Sequence, residues 1–321
     1  MKAVAFVSGA LVALAGCATS SSNAPTGHVV ELDDVPFFPQ KRYQCGPAAL
    51  ATILVNSGVA VTPDELVPLV YVPDRKGSFQ PELKAAARRY DRLPYELDPE
   101  PRALFAEIDA GNPVLVLQNL LFDWLPKWHY AVVVGYNTRN RTVILRSGTR
   151  ERRVEGLRGF LRSWQRADYW AVIALRPGQI PATASAAGYV RLTAESEGRV
   201  TEAAMNKAVS VGLNEWSDNA DINFAAANNA RLLGDVIRAA GLYRRSLQLD
   251  PGHLGALNNY SDLLLTESCF AAARTQIETA QQIVDPESTI YPVIMATADD
   301  IESASETADT GESCPSLTAD Q

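Results

Sequence analysis

Apolar and polar positions divide this chain into segments with different periods. Ala3–Gly16 is an unbroken run of small and apolar residues behind one charge, Lys2. The run is shorter than the ~20 residues that cross a bilayer as a helix, and it has the place and length of a targeting segment. The small, polar stretch ATSSSNAPTG at 18–27 reads as a flexible tether. From Val35 the pattern becomes that of a folded unit. Pro36 and Pro39 keep Val35–Gln40 extended, because the residue before proline avoids the helical region. Ala48–Val55 is continuously apolar behind Pro47, so a buried helix should open near Cys45-Gly46-Pro47 and stop at Ser57-Gly58. Thr62-Pro63-Asp64-Glu65 carries N-cap chemistry for a short helix, and further helices are expected over 81–90 and 101–110. β-Branched runs follow at 114–118, 129–136, 142–145 and 169–175, with Asn137–Arg141 as a hairpin loop. Helices first and an antiparallel sheet afterwards predict an α+β unit over residues 30–176.

After Pro177–Thr183, a linker by composition, the period changes. Residues 184–288 are Ala-rich and helical, and they repeat about every 34 residues. Asp250-Pro251 is followed 35 residues later by Asp285-Pro286, and Ala239 is followed 34 residues later by Ala273. Two repeats are clear, at 220–253 and 254–287, and a weaker one fits 186–219. Small residues let paired helices pack closely, and stacked pairs bury faces that one pair could not. Residues 289–321 are rich in acids, Ser, Thr and Ala, and are expected to form an acidic disordered tail.

Charge supports two units with different work. The chain carries −8 overall, but residues 30–176 hold a net +3 and residues 177–321 a net −12. That balance argues against general nucleic-acid binding. No phosphate-binding loop and no His/Cys ligand cluster occurs, so neither cofactor nor metal is expected. Arg139, Arg141, Arg146, Arg150, Arg152 and Arg153 form a basic run, read as a solvated sheet face or a contact for an anionic partner. Leu120–Trp128 is an aromatic, Leu-rich loop, read as a wall beside substrate or as buried packing.

Candidate chemistry centres on Cys45. At a helix N-terminus the unpaired N–H groups and the dipole favour a thiolate, so a lowered pKa is expected. Of three histidines, His28 lies in the tether and His253 in the repeats, which leaves His129 as the imidazole within the unit. A cysteine on a helix start and a histidine on a distant strand is the arrangement of papain-like sites.

The segment Pro39-Gln40…Gln44-Cys45-Gly46-Pro47-Ala48-Ala49-Leu50, with His129-Tyr130 opening a Val-rich strand, resembles family thirty-nine of the cysteine peptidases. These are the bacteriocin-processing, double-glycine-leader peptidases. The resemblance covers about residues 34–176 and implies a papain-like fold, Cys45 as nucleophile, His129 as general base and Gln40 as a donor to the oxyanion. Two departures stand out. Where the family carries an Asp to orient the imidazole, this chain reads Val143-Ile144-Leu145-Arg146-Ser147-Gly148, and Ser147 is the candidate orienter. The membrane helices and ATPase of exporter-linked members are also absent from the sequence.

The repeats resemble tetratricopeptide repeats, which implies a surface that binds a peptide, a protein partner or the substrate, or else a brace on the first unit. Leu14-Ala15-Gly16-Cys17 resembles the lipobox of bacterial lipoproteins. That implies cleavage after residue 16, lipidation of Cys17, a tether over 17–29, and attachment to a membrane through the lipid. Ala18 after the cysteine implies the periplasmic face of the outer membrane. With Cys17 and Cys45 assigned, Cys269 and Cys314 remain and are candidates for a disulfide in an oxidising compartment. The expected function is a cell-envelope cysteine peptidase whose repeats hold a substrate or partner. The alternative is a weak or inactive peptidase-like domain acting as a peptide-binding scaffold or assembly factor.

Overall fold

The computed structural model describes residues 27–307 and 314–318. The signal segment and Cys17 lie outside the described residues. In chain order the elements are β1 (Val29–Glu31), α1 (Cys45–Asn56), α2 (Pro63–Val70), α3 (Gln80–Arg89), β2 (Leu93–Glu96), α4 (Pro101–Asp109), β3 (Val114–Asn119), β4 (Trp128–Asn137), β5 (Thr142–Ser147), β6 (Arg150–Gly156), α5 (Leu157–Gln165) and β7 (Ala171–Leu175). The helical region continues with α6 (Ala186–Ser196), α7 (Glu202–Glu215), α8 (Ala220–Leu232), α9 (Val236–Leu249), α10 (Leu254–Thr266), α11 (Phe270–Ile283), α12 (Tyr291–Thr307) and the short α13 (Pro315–Thr318).

The strands form one antiparallel sheet in the order β2-β7-β3-β4-β5-β6. β1 pairs with the far end of β4, Val29 opposite Asn137 and Glu31 opposite Gly135. A Cβ on Gly135 would sit 2.5 Å from the Val30 carbonyl oxygen, so the close approach of β1 requires glycine there. Alternation along the strands sends side chains to two cores. Val114, Val116, Ala131, Val133, Val143 and Leu145 face α4, α5 and α6. Leu115, Leu117, Tyr130, Val132, Val134 and Ile144 face α1, α2 and α3. The fold is α+β with an all-helical region behind it.

Three departures from the sequence reading have local causes. β2 carries Pro94 and becomes a strand only by pairing with β7 at the sheet edge. β6 and much of the basic run are structural. Buried Arg146 donates to the carbonyls of Asp33, Val35 and Glu151, Arg152 pairs with Glu31 at 2.7 Å, and Arg153 pairs with Glu155 at 2.6 Å. Arg146 and Arg152 fasten the N-terminal segment to the sheet, while Arg139, Arg141, Arg150 and Arg152 remain exposed, as a solvated sheet face would. Finally, residues 291–307 are not disordered. Ile294 and Ile301 are seven apart, so they fall on one face of α12 and are buried against the last helix pairs.

The helical region stacks antiparallel pairs whose spans match the repeats in the sequence. Asn219, Asp235 and His253 cap α8, α9 and α10 through their side chains. Cys269 and Cys314 are joined as a disulfide, which ties α13 beside α9 and α10, and Leu317 is buried there. The region does not hang free. Tyr189, Leu192, Ala208 and Ile222 belong to the same core as the sheet residues. Arg88 of α3 pairs with Glu195 at 2.6 Å, and the Asp91 carboxylate accepts from the Thr201 amide at 2.8 Å.

Candidate active site

Cys45 is the first residue of α1, and its helix has no side-chain cap on Gln44. It is the free cysteine among the described residues. Gly46 is fixed by packing. A Cβ there would lie 2.4 Å from the Ser78 Oγ, so glycine lets the loop before α3 close over the helix start. A cavity of about 720 Å³ opens at this point, lined by Cys45, His129, Gln40, Ser78, Phe79 and Trp128 among others. One wall is the chain around Cys45. Another is the start of β4. The third is the 75–80 loop, which sequence reasoning did not assign to the site, since nothing in its composition marks it.

His129 is the second residue of β4, opposite Gln118 on β3. Its Nε2 lies 2.8 Å from the buried Ser147 Oγ. When Nε2 carries the proton and Ser147 accepts it, Nδ1 is left with a free lone pair. Gln40 is held by its backbone N–H to the Gly148 carbonyl at 2.9 Å and by its Nε2 to the Tyr130 carbonyl at 3.2 Å. One of the two amide hydrogens remains for a ligand in the cavity. The other two histidines have structural work. His28 pairs with Asp109 at 3.3 Å, and His253 caps α10 with Nδ1 and meets Asp221 with Nε2.

Electrostatics here differ from the sequence expectation. Burial pushes the Cys45 thiol up, and the amides of Tyr130, Gly46 and Cys45 itself offset only part of that. The helix start therefore does not by itself give a thiolate. Burial also holds His129 down to about 4, with the positive charges of Arg153 and Lys127 acting in the same direction. The resting pair is a neutral thiol and a neutral imidazole. Such an imidazole can accept a proton from the thiol as the sulfur attacks, but it does not rest as an ion pair.

The aromatic loop before His129 is exposed rather than buried. Trp124 is 80% exposed, and Phe122 stacks on it at 5.8 Å. Among the described residues no group of three or more His, Cys, Asp or Glu could hold a metal, and no helix is long and apolar enough to cross a membrane.

Residues 32–172 match the Peptidase_C39 like family. The match spans β2 to β6 and the first two residues of β7, leaves out β1, and includes all the cavity residues named above. A crystal structure described as a candidate C39-like peptidase from Bacillus anthracis aligns with 17% identity and a TM-score of 0.40, covering 46% of this chain and 98% of that one. No curated protein matches the chain. The family match ends before the helical region.

Proposed function

We propose that the protein is a cysteine peptidase of the cell envelope. The observation that carries this reading is that Cys45 and His129 line one cavity while Ser147 holds the far nitrogen of the imidazole. His129 Nδ1 takes the thiol proton as the Cys45 sulfur attacks the scissile carbonyl carbon. Gln40 and backbone amides at the start of α1 donate to the oxyanion. Collapse breaks the C–N bond, His129 returns the proton to the leaving amine, and a thioester remains. Water then attacks the thioester with His129 again as base, which releases the acid and restores the thiol. Ser147 is a positioning residue. It orients the ring, but its hydroxyl, which can donate or accept, does not stabilise an imidazolium as a carboxylate would. The helical region would hold the substrate or a protein partner in the manner of tetratricopeptide repeats. Lipidated Cys17 would keep the molecule on the periplasmic face of the outer membrane.

Digestion of a peptide pool, read by mass spectrometry of new termini, tests this. Cys45→Ala and His129→Ala should each lower cleavage by about 10³-fold or more, as for other nucleophile–base pairs. Cleavage unchanged by Cys45→Ala would end the reading.

A second reading is favoured by one observation: the thiol is raised and the imidazole lowered, with no carboxylate on it. On this reading the domain binds peptides without cutting them and serves as an envelope scaffold. Saturable peptide binding with no new termini would support it.

A further inference from the structure

The charge of the cavity wall points to its substrate class. Its lining includes Lys41, Arg75, Lys76 and Lys127, and no Asp or Glu. The ammonium of Lys41 is already taken by Asp64 at 2.7 Å. Arg75, Lys76 and Lys127 make no ion pair among the described residues, and Asp74, the nearest acid in sequence, is not part of the wall. Three wall cations with no ion-pair partner favour a positive potential at the mouth, although half-buried Glu82 lies close enough to act on Tyr130.

These cations are placed by structure. Pro73–Arg75 forms a single 3-10 turn, closed by the Val72 amide on the Gly77 carbonyl at 2.8 Å. Lys76 caps that turn in the left-handed region with φ of 49°. Tyr43, two residues before Cys45, is also left-handed with φ of 65°. Both positions would be easier for glycine, by ~1 kcal/mol each. Both carry long side chains on the cavity wall instead. Local strain that puts a side chain on a site is a mark of use. Phe79 and Trp128 complete the rim and are 42% and 53% exposed, so apolar surface lies next to the charges.

We propose that this cavity selects acidic peptide segments, holding a substrate carboxylate on Arg75, Lys76 and Lys127 while an adjoining bulky apolar side chain packs on Phe79 and Trp128. The inference rests on the peptidase reading for what happens next, but not for binding. A carboxylate beside Lys127 also offsets one of the charges that oppose protonation of His129. An acidic substrate would thereby bring part of the negative charge that Ser147 does not supply.

The test uses the full chain with Cys45→Ser, so that nothing is cut. Three fluorescein-labelled nonapeptides differ only on either side of a central Phe, where they carry Glu, Gln or Lys. Fluorescence anisotropy should rank them Glu, Gln, Lys, with about a tenfold step from Glu to Gln at low salt that shrinks as salt is added. Arg75→Glu with Lys76→Glu should invert the order, and Lys127→Glu alone should shrink the first step. Equal affinities, an order that survives the reversal, or no saturable binding of the Glu peptide would each overturn the proposal. Acidic preference in binding together with no cleavage by the wild-type chain would instead sink the peptidase reading alone.

Discussion

The C39-like domain and the helical region differ in how much alanine their cores contain. The sheet carries large side chains on both faces, with Leu115 and Val116 from neighbouring positions fully buried in different cores. The helical region mixes many small residues, among them Ala227, Ala239, Ala240, Ala256, Ala273 and Ala280, with Leu257, Leu263, Leu264 and Ile277 around Tyr243 and Tyr260. Bulky interiors make a domain whose loops can leave a deep concavity at one end of the sheet. Alanines bring helices close, and the concavities between them are smaller, about 310 and 150 Å³. The cavity with the candidate chemistry therefore lies in the first region, and the second offers outer faces of stacked pairs.

That difference predicts opposite sensitivities. Leu115→Ala should cost about 2–5 kcal/mol, because truncation in a dense core leaves a hole. Ala239→Leu should cost about 1–3 kcal/mol for the reverse reason, overfilling a close helix contact. Urea denaturation checks both, and equal tolerance of Ala239 to enlargement would break the contrast. A smaller effect tests the joint. A Cβ on Gly212 would meet the Tyr189 ring at 2.7 Å, and Tyr189 is where the helical region enters the core of the sheet. Gly212→Ala should cost about 1–2 kcal/mol, at the low end for a small overpacking change. It should also split one unfolding transition into two, seen as divergent tryptophan and circular-dichroism melts. A last test concerns acid. His129 is held at about 4 in the folded chain against an ordinary 6.5. Between those values the unfolded chain takes up a proton that the folded chain refuses, so stability falls as pH drops from 6.5 towards 4. His129→Asn should flatten that part of the curve, with urea midpoints as the readout.

Much of this was legible in the residues, and the exceptions share a cause. The apolar run behind Cys45-Gly46-Pro47 gave α1 its place, and the Val-rich run after His129 gave β4, because both bury nearly every position. Gln40, Cys45 and His129 could be singled out by type and order, and Ser147 by its place at the end of the strand after His129. The elements that were missed depend on partners. RERRVEG becomes β6 only beside β5, and Pro94 is tolerated only at an edge. The acids of α12 hid its Ile294 and Ile301 stripe, since counting charges ignores which face they occupy. Burial of Cys45 was equally out of reach. A helix start suggests a lowered thiol, but the burial that raises it is set by tertiary packing, with Tyr130 of β4, distant in sequence, beside the sulfur.

The fastening of the first described residues has a geometric consequence. Val29 lies opposite Asn137, whereas His129 sits eight positions back along β4, which at ~3.3 Å per residue is more than 25 Å. Arg146 and Arg152 lock the intervening segment to the sheet, so that offset is rigid. The chain thus enters the domain at one pole and opens its cavity at the other.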